Sequence, residues 1–485
     1  MLAATRAGDA TSGSARRGRA DIGIALGLAG ATGALGLSRV GDSSFWGDEA
    51  FSAVLVHRSF GEVVSLLRSE AGMAPYYLAL WFWSQFSRSE ISLRLLSVLG
   101  AACTIAVTYL LVRAIVDRTA AVVTVIGLIC NPTFLRYMTE VRAYSWMMCL
   151  GVTSTALLLR MRRSPSARSA LSYGASLGLL LATNIFAAPL VLVHLWFARP
   201  MSSDERARRI ALLGFGLAAA VVTPFLMPLL TSNQLSWIWP TTRYWVTNQS
   251  IDFLGNEAWA LLLAAGNMCL LVLLATRRLE PRSGPPLALV LSSSIAVPVG
   301  LLLISLIKPS YVARYLSPVL PLVIIGAVAG PLLAVRMINL RGAHFGATTA
   351  FIIAFVIGFP GSPLRDMRHG EDLRAAAQYL QAEFQPGDAV VFDPASIDVN
   401  MSFYWTPPSG IVGLPPSAEP DIGVVRLSQQ ERLAQLATFC RVWRVERDDY
   451  SALEQWSEPG ALLEVRHFDG ITVTSVDSCD AAAHP

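Results

Sequence analysis

The sequence predicts an α-helical polytopic membrane protein with about eleven transmembrane helices, N-terminus inside and C-terminus outside. Interfacial helices are expected in its first outer loop, and a small α/β extracytoplasmic domain at its C-terminal end. Three observations predict this. Of the 485 residues 53% are hydrophobic and only 15% charged, where soluble chains carry roughly a quarter charged residues; the mean hydropathy is +0.50. Apolar runs recur along the chain, and arginine marks every second connection between them. From about residue 361 the pattern changes to that of a mixed soluble domain.

The apolar runs lie near 21–40, 91–112, 119–138, 143–161, 169–185, 186–198, 208–230, 257–276, 286–307, 315–335 and 344–360. A bilayer-crossing helix needs roughly twenty such residues. The first run follows Arg16, Arg17 and Arg19 and is long enough to span, so it reads as an uncleaved helix and not as a signal peptide. Residues 1–20 before it are expected to be a disordered cytoplasmic tail, and 21–360 and 361–485 the two domains. Arg113 and Arg118 lie between the second and third runs. Arg160, Arg162, Arg163 and Arg168 follow the fourth, Arg206, Arg208 and Arg209 the sixth, Arg277, Arg278 and Arg282 the eighth, and Arg336 and Arg341 the tenth. The positive-inside rule places all of these in the cytoplasm and the intervening connections outside.

The C-terminal region shows a helical pattern near 371–383, a strand at Ala389–Phe392, a second helix near 428–438, Arg441–Val445, and a hairpin from Leu462 to Val476 turning at Asp469-Gly470. Such alternation fits a small α/β domain. The net charge of +4 is too small to suggest nucleic acid. Four cysteines, Cys103, Cys130, Cys149 and Cys269, fall in apolar segments, whereas Cys440 and Cys479 lie in the polar C-terminal region, where an extracytoplasmic location permits a disulfide. No Cys/His spacing resembles a zinc site. Arginine supplies nearly all the positive charge, and Lys308 is the single lysine.

The outer connections hold the chemistry-bearing residues. The first, 41–90, contains Phe45-Trp46-Gly47-Asp48-Glu49 and the aromatic run Pro75-Tyr76-Tyr77-Leu78-Ala79-Leu80-Trp81-Phe82-Trp83, too short to span and suited to the interface. Glu140, Arg142 and Tyr144 follow the third run. Ser236-Trp237-Ile238-Trp239-Pro240 and Arg243-Tyr244-Trp245 lie in a further outer loop, and Lys308, Tyr311, Arg314 and Tyr315 in the last. Charges at a membrane boundary cost several kcal/mol, roughly, unless paired, hydrated or bound to a ligand. A carboxylate can take a proton from a hydroxyl, while arginine and lysine neutralise a departing phosphate. Taken singly, Glu140–Arg142 reads equally as a structural ion pair, and Lys308 and Arg314-Tyr315 as boundary anchors.

Together these residues resemble the C-type (GT-C) membrane glycosyltransferases, nearest the branch of protein O-mannosyltransferases and aminoarabinose transferases. Trp46-Gly47-Asp48-Glu49 matches the acidic pair of the first outer loop. Gly72-Met73-Ala74-Pro75-Tyr76-Tyr77 is similar to the following motif, although Met73-Ala74-Pro75 stands where the protein O-mannosyltransferases proper have a His-Pro-Pro version. Ser89-Glu90-Ile91-Ser92-Leu93-Arg94-Leu95, Glu140-x-Arg142-x-Tyr144 and Tyr311-x-x-Arg314-Tyr315-x-x-Pro318 match later segments. The resemblance implies transfer of a sugar from a polyprenyl-phosphate donor to an envelope acceptor (protein, lipid or glycan) at the outer face of the plasma membrane, with inversion. It implies Asp48 as general base and Glu49 as its assistant or acceptor guide. Arg142, held by Glu140, with Lys308 and Arg314, would contact the phosphate; Tyr77, Tyr144 and Tyr315 would line the carrier or sugar pocket. The motifs name no certain cofactor, and dependence on a divalent metal stays open. The alternatives are a non-enzymatic transporter or flippase for a lipid-linked sugar, which would show mid-bilayer charges or repeated halves, and a membrane anchor whose outward domain is the working part.

Overall fold

The computed structural model describes residues 2–69, 72–231, 238, 240–338, 343–357, 371–393, 396–406, 411–413, 438–448 and 461–477. In chain order the first helices are α1 (Leu2–Leu37), α2 (Gly47–Leu55), α3 (Phe60–Ser69), α4 (Ala74–Ser84), α5 (Glu90–Ile115), α6 (Arg118–Cys130), α7 (Pro132–Thr139), α8 (Tyr144–Arg163) and α9 (Ala167–Thr183). They are followed by α10 (Pro189–Ala198), α11 (Glu205–Thr231), α12 (Arg243–Leu254), α13 (Glu257–Ala275), α14 (Gly284–Ser305), α15 (Leu320–Ile338), α16 (Ala343–Ile357), α17 (Leu373–Glu383) and α18 (Ser396–Met401). Short 3-10 turns cover Ile185–Ala187, Arg199–Ser203 and Ala313–Val319.

Among the described residues seven helical segments are long and apolar enough to cross a membrane, or eight if the bent pair α6–α7 counts as one. The fold is the expected helical polytopic membrane fold, and its helical segments differ in length and in regularity. The segment expected as one span at 119–138 bends by 67° between α6 and α7. The cause is local: Asn131 Oδ1 accepts from the Phe134 amide at 3.1 Å, and Pro132 at the first helical position has no N–H to continue the preceding ladder. A second break, where Asn184 Oδ1 accepts from the Phe186 amide at 3.1 Å, ends α9 at Thr183 with 17 residues, and α16 has 15. Helix α8 is long enough, but its polar residues and closing arginines make it less apolar. Helix α1 takes in the residues expected to be a disordered tail; Ala3, Ala4, Ala7 and Ala10 there are strong helix formers.

The chain divides into two compact units, one of residues 1–39, 64–79 and 94–363, the other of residues 40–63, 80–93 and 364–485. In the first, small residues let helices approach closely. A Cβ on Gly266 of α13 would overlap the Ala327 carbonyl of α15, and one on Gly151 of α8 would overlap the Pro318 carbonyl. Arginine-rich connections also meet. Asp21 of α1 accepts from Arg113 at 3.0 Å and Arg118 at 2.6 Å, and Asp117 pairs with Arg336. His194 is fully buried, with Nδ1 3.1 Å from the Tyr173 hydroxyl.

The second unit holds a five-stranded sheet, β1 (Ala389–Asp393), β2 (Ile411–Gly413), β3 (Arg441–Arg447), β4 (Ala461–Phe468) and β5 (Ile471–Asp477), in the order β2-β1-β3-β5-β4. Strand β1 runs parallel to β2 and β3; β5 is antiparallel to both β3 and β4. Gly470, at φ +67°, closes the β4–β5 hairpin. Leu373, Ala376, Ala377 and Leu380 of α17 pack on Val390, Phe392, Trp443, Val445 and Val473, and the Trp443 indole donates to Asp388 at 2.9 Å. The second expected helix, near 428–438, lies almost wholly outside the described residues. Cys440 is disulfide-bonded, while Cys103, Cys130, Cys149 and Cys269 are free; Cys479 lies outside the described residues.

Candidate active site

Asp48 and Glu49 stand in the first turn of α2. The partial positive charge of a helix N-terminus stabilises carboxylates there. Asp48 is half-buried and Glu49 is 2% exposed. The loop that delivers them is fastened within its own unit by groups from residues 371–447. The Gly47 amide donates to Glu371 Oε2 at 3.2 Å, the Ser44 hydroxyl to the Glu371 carbonyl at 2.7 Å, and Arg447 Nε pairs with Glu371 Oε1 at 2.9 Å. The Phe45 amide donates to the Tyr404 hydroxyl at 2.7 Å, which itself donates to Glu90 Oε1 at 2.5 Å. Arg374 Nη2 closes the circuit on Glu90 Oε2 at 2.7 Å and the Ser43 carbonyl at 3.0 Å. Phe45, fully buried, meets Phe403 edge-on at 4.9 Å. A side chain at Gly47 would crowd Asn400 Nδ2, 3.2 Å from the added Cβ.

The first unit gathers a second group. Arg142 donates through Nη1 to the Tyr77 hydroxyl at 2.7 Å and through Nε to the Tyr144 hydroxyl at 3.4 Å. Its guanidinium carbon lies 6.0 Å from each ring centroid, so the cation is flanked by two phenols. Its position is set by backbone bonds: the Arg142 amide donates to the Glu140 carbonyl at 2.7 Å, and the Ser97 hydroxyl to the Arg142 carbonyl at 3.2 Å. Met73, at φ +60°, ends the turn before α4, and its carbonyl accepts from the Tyr76 and Tyr77 amides. A non-glycine residue in the left-handed region is uncommon and costs free energy; here it starts the helix that presents Tyr77.

Glu140 is 3% exposed, and its carboxylate pairs with Arg136 Nε at 3.2 Å. Arg136 stands outside the motifs of the sequence, although its i,i+4 spacing from Glu140 on a helix is a recognisable signal. Arg136 also reaches Asp252 at 3.3 Å, which ties α7 to α12. The Thr133 hydroxyl on the Asp252 carbonyl at 2.6 Å, and Asn131 Nδ2 on the Leu254 carbonyl at 2.8 Å, complete that tie.

The last motif lies on the turn that packs against α8, where Ser317 Oγ is 3.5 Å from Met147 Sδ. Tyr315 stacks on Phe186 with ring centroids 4.6 Å apart, and its carbonyl accepts from Asn184 Nδ2 at 3.0 Å. Arg314 lies 6.0 Å from the Tyr315 ring centroid. The Tyr311 hydroxyl is 2.9 Å from that of Ser250, and its carbonyl accepts from the Trp245 indole at 2.7 Å. Burial pushes the Tyr311 phenol up from its ordinary pKa, against the Ser250 bond, so it stays neutral. Lys308 is exposed beyond α14, and its side chain makes no hydrogen bond or ion pair among the described residues. Ser236, Trp237 and Trp239, part of the expected interfacial aromatics, lie outside the described residues. Among the described residues no group of three His, Cys, Asp or Glu side chains is placed to hold a metal ion.

Residues 70–227 match the family described as dolichyl-phosphate-mannose-protein mannosyltransferase. This segment contains Tyr77, Glu140, Arg142 and Tyr144 and excludes Asp48, Glu49, Lys308, Arg314 and Tyr315. No curated protein matches the chain in sequence. Among solved structures, ArnT from Cupriavidus metallidurans bound to undecaprenyl phosphate is similar over 93% of this chain and 97% of its own, at 14% identity and a TM-score of 0.59. The apo state of that protein matches over 83% and 87%, at 15% identity and a TM-score of 0.58. The apo oligosaccharyltransferase of Archaeoglobus fulgidus matches over 78% and 63%, at 11% identity and a TM-score of 0.51. In its matched segment and in its fold the chain is similar to C-type membrane glycosyltransferases.

Proposed function

We propose that this chain, with its likeness to C-type glycosyltransferases in segment and fold, is an inverting enzyme that moves a sugar from a polyprenyl-phosphate donor to a hydroxyl acceptor at the outer face of the plasma membrane. The observation that carries the proposal is Arg142, held between the Tyr77 and Tyr144 hydroxyls inside the segment that matches the mannosyltransferase family. A planar guanidinium flanked by two phenolic hydroxyls suits a phosphate oxygen near lipid. The ArnT structure with undecaprenyl phosphate makes a polyprenyl-phosphate carrier the natural donor for the same fold.

In the reaction, Asp48 takes the proton of the acceptor hydroxyl as its oxygen attacks the anomeric carbon. The bond from that carbon to the phosphate oxygen breaks, and the electron pair leaves with the phosphate, which Arg142 neutralises together with Arg314 and Lys308. The products are the glycosylated acceptor, polyprenyl phosphate and protonated Asp48. A positioned general base typically contributes roughly 10²–10⁴-fold, and a charge stabiliser about 10²–10³-fold. Glu49 orients the acceptor. Tyr77, Tyr144 and Tyr315 line the path of carrier and sugar, and Glu140 acts through Arg136 and the short turn that carries Arg142.

The sidedness rests on arginine. Asp21, at the start of the first run, pairs with Arg113 and Arg118 between the second and third, and Asp117 pairs with Arg336 after the tenth, which supports one common face for the three. By the positive-inside rule that face is read as cytoplasmic, and the proposal takes Asp48 and residues 361–485 to lie on the other side. The disulfide at Cys440 fits an oxidising compartment. Deletion of the gene, followed by sugar analysis of the envelope, tests the proposal. One glycan component should be lost and be restored by the wild-type gene, but not by Asp48→Asn inserted at equal level. Restoration by Asp48→Asn would overturn it.

A further inference from the structure

The first unit contains a cavity of about 630 Å³ that no part of the proposed reaction uses. It opens where three arginine-rich connections converge: the last turn of α8, the 3-10 turn Arg199–Ser203 leading into α11, and the connection between α13 and α14. Arg162, Arg163 and Arg282 line it, together with apolar surface that includes the buried Leu159, Met201 and Pro286. No carboxylate lines it. None of the three arginines forms an ion pair among the described residues. Arg162 is half-buried and rests over the Phe197 ring, 5.9 Å from its centroid, so its charge is partly withdrawn from water without a counterion.

Like charges gathered around one cavity repel, and they are tolerated where an anion joins them. Guanidinium groups match phosphate oxygens in charge and planar geometry, and the volume falls within the range of ligand pockets. The apolar walls suit the glycerol and first acyl carbons of a lipid. We propose that this cavity binds a phosphate group, on the face that the arginine distribution assigns to the cytoplasm. The group can arrive as the headgroup of an anionic membrane lipid or as a soluble phosphate.

The test uses the full chain in a neutral detergent, with wild type, Arg163→Gln/Arg282→Gln, and a control, Arg19→Gln/Arg208→Gln, that removes equal charge from exposed positions not lining the cavity. Native mass spectrometry with added phosphatidylglycerol or phosphatidylcholine forms the lipid arm. Thermal unfolding with added inorganic phosphate forms the soluble arm. Arg163 and Arg282 are exposed and form no ion pair among the described residues, so the double variant should fold; an unchanged unfolding midpoint without additives verifies this. At about fivefold per arginine near a lipid headgroup, the double variant should bind phosphatidylglycerol roughly thirtyfold more weakly, with the control unchanged. Phosphatidylglycerol binding lost in the variant identifies the lipid source. Protection by phosphate, lost in the variant, identifies the soluble one. Equal loss in the control, or no anion binding in either arm, overturns the proposal.

Discussion

Tyr404 makes two hydrogen bonds that fasten the loop carrying Asp48, which makes Tyr404→Phe a direct probe of that attachment. Its hydroxyl donates to Glu90 at 2.5 Å and accepts from the Phe45 amide at 2.7 Å. The substitution keeps the ring, with its edge contact to Phe403 and its tilted contact to Phe45. Glu90 retains Arg374 at 2.7 Å, so its loss is one charge-assisted bond. The Phe45 amide, beside a fully buried side chain, loses the acceptor that the hydroxyl supplied. A bond to a charged group contributes about 1.5–3 kcal/mol and an unmet buried donor costs about 1–3 kcal/mol; partial access of water to the half-buried tyrosine brings the sum down to roughly 2–3 kcal/mol. Local opening should then become roughly 30- to 160-fold more frequent. Hydrogen exchange of the amides at 45–50, measured in detergent, reads this as a rate increase of the same factor, with helices of the first unit unchanged. Exchange at 45–50 equal to wild type would refute the view that residues from the C-terminal region hold the Asp48 loop in place.

Other perturbations separate the roles of single groups. Arg142→Lys keeps the charge but not the fork that meets the Tyr77 and Tyr144 hydroxyls; a fall of about 10- to 100-fold in kcat/KM for the lipid donor is expected, with an unchanged unfolding midpoint. Tyr77→Phe should cost only about 2- to 10-fold in the same assay. Gly151→Ala drives a methyl into the Pro318 carbonyl and should lower stability by about 1–3 kcal/mol in thermal unfolding, with weakened donor binding because the displaced 3-10 turn carries Arg314 and Tyr315. Burial holds the Asp398 carboxyl above its ordinary pKa of 3.8. Its folded form therefore binds a proton more readily than the unfolded chain, and the associated stability, present below that value, is lost as pH rises through the folded pKa. Asp398→Asn should raise the unfolding midpoint at pH 7 and leave it unchanged at low pH.

What the sequence revealed follows the range of the interactions concerned. Apolar runs and arginine positions are local signals, and they located the helical segments and the carboxylate pair. Asn131-Pro132 is also local, yet its capping competed with an uninterrupted apolar run at 119–138, and the cap and the missing N–H prevailed. The pairing of Glu140 with Arg136 was legible as an i,i+4 spacing but was overshadowed by the adjacent Arg142. The fastening of Phe45 to Tyr404 and of Gly47 to Glu371 joins residues more than 300 positions apart. Nothing in local composition marks Tyr404, Glu371, Arg374 or Arg447 as partners of the first loop. Glu90, their further partner, belongs to a recognisable motif, which gave its place but not its role.

The central claim concerns Asp48 and a bond broken between sugar and phosphate. A labelled sugar on polyprenyl phosphate, reconstituted with the protein and with envelope acceptors from a deletion strain, tests it most directly when label transfer and released polyprenyl phosphate are both counted. Wild type should transfer label and release carrier in equal amounts. Asp48→Asn should bind donor normally and lose roughly 10²–10⁴-fold in rate. Full turnover by Asp48→Asn, or label that crosses the bilayer while still attached to its carrier, would contradict it.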